Sequence, residues 1–280
     1  MMTTPDLEAL ARDFWAGTEW CDRFPREIDQ VAPLQLPLVI AKQSPINALA
    51  AGDWLRRRGM VVPLPHDRRD LHGCLVAHCG RGFIFVSSTD SAEEQRLTMA
   101  HEVAHFFVDY LLPRRQVMQA LGARMAAVLD GLRPPTPAER AAAILSHVRL
   151  GAHVHLLPRP GAGVDDEVRV VHAEDRADRL ALELVAPRAC VRDVLNDLAA
   201  RQPLAPEAAR SALAMHFGLP AYVFHDTVRH MVRRSPPSFV RGGHPRRTPA
   251  AALNETLSPR ERRGHGTDPT KHAPRRSGGR

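Results

Sequence analysis

Between residues 91 and 113 the chain reads "SAEEQRLTMAHEVAHFFVDYLLP", with apolar positions recurring one helical turn apart. Leu97, Ala100, Ala104, Phe107, Val108 and Leu111 follow a 3.6-residue repeat. Ser91 with Glu94 forms a capping box ahead of it, and Pro113 marks its expected end. A second long amphipathic pattern covers 172–199, divided by Pro187. Shorter ones cover roughly 5–16, 44–59 (Ser44 as N-cap, Pro45 first, Gly59 beyond the end) and 205–232, read as helix, Gly-Leu-Pro turn, helix. Residues 113–170 read as two further helices around "RPPTPAER", where Thr136 and Glu139 form another capping box, before "HVHLLPRPGAG" breaks the pattern. Strand signal is concentrated at 71–88, two apolar runs around Cys79-Gly80-Arg81-Gly82 that predict a β-hairpin.

These elements predict an α+β fold, mostly helical, with a small antiparallel sheet or hairpin before the long helix. Three regions are expected: an N-terminal helix and connector (1–43), a folded domain (44–232), and a disordered basic tail (233–280). Within the domain, 113–170 reads as a helical insertion and 205–232 as a C-terminal helical hairpin.

Composition changes this picture at one point. The chain of 280 residues carries a net charge of +7, which suggests nucleic acid. From Arg233 to Arg280, however, twelve Lys+Arg face three Asp+Glu, a net of +9, which leaves about −2 for residues 1–232. The tail, and not the folded body, is basic, so nucleic-acid contact through it is expected to be nonspecific. Cys21, Cys74, Cys79 and Cys190 form no C-x-x-C pair and read as reduced thiols. No signal peptide and no membrane-length apolar run are recognisable, so a cytoplasmic location is expected.

The chemistry lies in "HEVAH", 101–105. Helix positions i and i+4 project alike, so His101 and His105 can reach one metal ion while Glu102, to the side, serves as general base. Asp109 continues the row, but it lies about 12 Å along the axis from His101, too far for one ion to bridge. It is expected to cap, pair or be solvated. The extended motif fails too, because Val108 and Leu111 stand where it needs Gly and His. A third ligand must come from another element. Glu174 is the leading candidate, with Asp178 one turn on, placed to hydrogen-bond the free nitrogen of a ligand histidine. His153, His155 and His172 are rivals.

"RLTMAHEVAHFFVDYLLPR" followed by "AEDRADRLALELVAP" resembles the ImmA/IrrE family of bacterial zinc metallopeptidases, which are gluzincin-like. Glu174, Ala177, Asp178, Leu180, Ala181, Leu184 and Pro187 fall in register with the family's second helix. The likeness spans roughly 45–232 and implies a zincin-like domain binding Zn2+. It further implies ligands His101, His105 and Glu174, and Glu102-assisted attack of zinc-bound water on a peptide bond. Its implied substrate is a helix-turn-helix transcriptional repressor whose cleavage serves a stress response. The chain departs from the family in the long stretch between His105 and Glu174, for which a lid or sensor role is expected. An extended substrate is expected to pair with an edge strand of the 71–88 hairpin. Two alternatives compete: a DNA-binding regulator using 205–232 as helix-turn-helix with Arg229, Arg233 and Arg234, and a zinc-binding protein that sequesters a regulator without cutting it.

Overall fold

The computed structural model describes residues 4–145, 148, 150–159, 168–201 and 205–234, with side chains given for most of these. They all lie within the first of two compact units, Met1–Phe239; the other, Val240–Arg280, falls outside the described residues, as does nearly all of the expected disordered tail. Among the described residues four strands form one sheet: β1 (Leu38–Gln43), β2 (Leu71–His78), β3 (Arg81–Ser87) and β4 (His153–Pro158), in the order β1-β3-β2-β4. The hairpin forms as expected, turning at Cys79 and Gly80, both at positive φ (50° and 77°). The sheet is mixed, and not purely antiparallel, because β1 joins β3 in parallel while β4 pairs antiparallel with β2.

Both faces of this sheet are covered, which is why β2 and β3 read as continuous apolar runs instead of alternating ones. On one face Leu38, Leu75, Ala77, Ile84 and Val86 join the main core with α1 (Thr4–Trp15), α2 (Ile28–Gln35), α4 (Ala92–His105), α8 (Val168–Val185) and α10 (Pro206–Phe217). On the other, Cys74, Val76, Phe83 and Phe85 pack against Ala51 and Leu55 of α3 (Ala48–Arg56). That helix starts later than expected. Asn47, with extended backbone (φ −153°), caps it by accepting from Ala50 N, so Ser44 and Pro45 lie outside it.

Ser91 caps α4 by accepting from Glu94 N, while the Glu94 carboxylate turns to the Tyr222 hydroxyl. Pro113 does not end the element. A π-helical stretch, Phe106–Leu111, follows His105 and leads without a break into α5 (Leu112–Leu121), with Pro113 just past the junction. Past α5 come α6 (Met125–Leu129) and α7 (Pro137–Leu145), the latter opened by the reciprocal Thr136–Glu139 box. Residues 113–170 are therefore helical only in part: 153–158 are the edge strand β4. "HVHLLP" alternates only over its first four residues, ends in Pro and runs straight into a Pro- and Gly-rich stretch, so its strand signal is weak.

The C-terminal end of α8 is held from the N-terminal segment. Pro187 ends the helix, and the orphaned Leu184 carbonyl accepts from both Trp15 Nε1 and Arg26 Nη1 at 2.8 Å. After α9 (Arg188–Arg201), α10 stops at Gly218 in the left-handed region, and a 3-10 turn (Ala221–Phe224) leads into α11 (His225–Arg234). Phe217, Leu219, Phe224 and Val228 are buried here, and Arg229 is exposed; the side chains of Arg233 and Arg234 lie outside the described residues. No helix among the described residues is long and apolar enough to cross a membrane. Cys21, Cys74, Cys79 and Cys190 are all free thiols.

Candidate metal centre

Helix α4 carries His101, Glu102 and His105 into the interior, where all three are buried. Two glycines permit this approach. A Cβ on Gly73 of β2 would stand 2.5 Å from Thr98 Cγ2 and 2.9 Å from Glu102 Oε1, and one on Gly82 of β3 would stand 2.8 Å from the Phe106 ring. Helix α8, packed along α4, brings Glu174 to the same point.

Three donor atoms converge. His101 Nε2 and His105 Nε2 lie 3.1 Å apart, and Glu174 Oε2 lies 3.4 Å from each. A tetrahedral ion with bonds near 2.0–2.1 Å requires donor-to-donor edges of about 3.3–3.4 Å, so this triangle has the size of one face of a zinc site. The other ring nitrogens are already committed. His101 Nδ1 lies 2.9 Å from Asp178 Oδ1, and His105 Nδ1 lies 2.6 Å from Asp109 Oδ2. An ionised carboxylate only accepts, so both Nδ1 atoms donate, and each Nε2 is left to face the centre.

Asp109 therefore pairs. Its second oxygen takes Arg176 of α8, so one largely buried carboxylate joins a candidate ligand to the opposite helix. Tyr110 points away, its hydroxyl accepting from Gly80 N at 2.7 Å in the hairpin turn. Among the rivals of Glu174, His155 enters the cluster: Nδ1 lies 2.9 Å from Glu102 Oε2 and Nε2 lies 3.1 Å from Glu174 Oε1. It is the fourth member of a group whose donors all fall within 4.8 Å of one another. His153 is buried on the same strand near Tyr110, and the His172 side chain lies outside the described residues. Residue spacing did not separate His155 from its neighbours, because its position depends on β4 joining the sheet.

The charges balance within the cluster. Burial opposes a charge on His101 and His155, but Asp178 and Glu174 for the first, and Glu102 and Glu174 for the second, raise them to about 9 and about 10. Burial likewise opposes ionisation of Glu174, yet hydrogen bonds from His101, His105 and His155 hold it far below the ordinary carboxylate range. Glu102, fully buried, is held below its usual value mainly by His155. A site that binds protons this tightly through carboxylates has the donor chemistry for a divalent cation, which would compete with those protons. The set of imidazoles and a carboxylate suits zinc.

Comparison with known proteins bears on this geometry. Residues 60–161 match the peptidase family model described as the IrrE N-terminal-like domain. This segment is similar to the IrrE-like peptidases. The match includes the hairpin, His101, Glu102, His105 and His155, and stops before Glu174. No curated protein matches the chain. The IrrE-like match and the donor cluster support a peptidase that uses a metal.

Proposed function

We propose that the protein is a zinc-dependent endopeptidase acting on a regulatory protein in the cytoplasm. The observation that carries this reading is the donor triangle of His101, His105 and Glu174, with the Glu102 carboxylate beside it. Zinc, when bound there, supplies a Lewis acid for the scissile carbonyl and for the attacking water. Glu102, kept ionised in a buried setting, takes a proton from that water and delivers it to the leaving amine. Asp178 and Asp109 hold the imidazoles in the tautomer that turns Nε2 inward.

The place for an extended substrate changes with the sheet order. β2 and β3 are paired on both sides, so the hairpin offers no edge, whereas β4, which carries His155, is paired on one side only among the described residues. A peptide adding to β4 would run beside the cluster. A helix-turn-helix repressor is the proposed substrate, and a small regulator encoded beside this gene is the first to try. Glu102→Gln should retain zinc and lose cleavage of that regulator, a drop of about 10²-fold or more. Undiminished cleavage would overturn the mechanism, and loss of zinc would show that Glu102 acts on the metal and not on the water.

A further inference from the structure

His155 stands where an attacking water would have to stand. Such a water must touch both the metal position and the general base, and one imidazole spans these two sides. Its Nδ1 takes Glu102 Oε2 at 2.9 Å, and its Nε2 lies 3.1 Å from Glu174 Oε1, inside the four-donor group. The ring stacks on His105 with centroids 3.8 Å apart, and its side chain is only 13% exposed. The other Glu102 oxygen, Oε1, offers no alternative: it is turned toward Gly73 and Thr98 and has no hydrogen-bond partner. Catalytic zinc sites keep a position open beside three protein ligands, whereas four protein ligands make a closed site.

We infer that His155 is a closing residue: a fourth protein donor that holds the site in a latent form, engaging the general base at the same time. This rests on the metallopeptidase reading above. The strand that bears it is suited to release it. Among the described residues β4 is at the sheet edge, paired only with β2, and its register with β2 shifts between Leu71 and Gly73. An extended chain adding to the free edge, or a small slide of β4, would draw the imidazole from both carboxylates together. Opening the metal position and freeing the base are thus one event, and it is coupled to the strand on which substrate would dock.

The test uses the full-length chain loaded with Co2+, whose visible absorption reports coordination, and acetohydroxamate as the probe of an open position. Wild-type spectra should be unchanged at acetohydroxamate concentrations that shift the spectrum of His155→Ala. That variant should still hold Co2+, about 10–100-fold more weakly. If the wild type takes up acetohydroxamate as readily as the variant, the site is open and the inference fails. If the wild type binds no Co2+, the metallopeptidase reading itself fails. Should His155→Ala not fold, X-ray absorption of the zinc-loaded wild type decides: three imidazoles support closure, and two overturn it.

Discussion

Each histidine of the pair in α4 has a carboxylate behind it, and the two carboxylates are unequal. Asp178, behind His101, is 64% exposed, whereas Asp109, behind His105, is 11% exposed and also bound to Arg176. The less exposed one should matter more, since water can replace an exposed acceptor. Asp109→Ala is expected to weaken zinc binding about 10–100-fold, and Asp178→Ala by less, as read by competition with a chromophoric chelator. Equal losses would contradict this ranking. Asp109 was partly legible beforehand: its distance along the helix ruled it out as a ligand of the ion that His101 binds. The same i, i+4 spacing places it against His105, a consequence that follows only if the ligand histidine is asked what its other nitrogen does.

Among the elements, α4 could be read from sequence because its Ser91 cap and helical period agree, and α8 because its period and Pro187 agree. β1 and β4 could not. β1, "LVIAKQ", follows a proline-rich connector and pairs in parallel with a strand over forty residues away, so nothing local announces it. β4 is six residues with histidines at alternate positions, and its identity comes from β2, not from itself. The π-helical stretch was hidden too, since its residues are as apolar as those of an ordinary turn. In α8, Glu183 is buried, and burial raises its carboxyl above the ordinary value, with Arg188 N–H partly offsetting this. A raised folded-state value means that the protonated form favours folding at low pH and that this stability is lost as pH rises through it. Glu183→Gln should therefore raise Tm at pH 7, and the gain should fade below about pH 4, where the unfolded carboxyl is protonated as well. A gain independent of pH would place its origin in packing instead of charge.

At the scale of the molecule, the site joins parts of the chain that are far apart in sequence: α4 beneath the sheet, α8 from beyond the long connection, and β4 from the sheet edge. The donors come from different elements, so metal should bind the folded chain far better than the unfolded one and stabilise it by mass action. Zinc at 100 times its dissociation constant contributes about 2.7 kcal/mol, or about 5–10 °C in Tm, and a chelator should remove that gain. A Tm indifferent to chelation would mean that the cluster holds no ion. The net charge of +7 had little to say about this site, because the basic excess lies in the last 48 residues and the cluster is built from carboxylates and imidazoles.

The central claim is that α4 and α8 together make one metal centre, and zinc stoichiometry tests it most directly. Purified full-length protein should carry one equivalent of zinc per chain, as should Glu102→Gln. His101→Ala and Glu174→Ala should each lose most of it while keeping the wild-type circular dichroism. Full zinc retention in Glu174→Ala would contradict the two-helix centre.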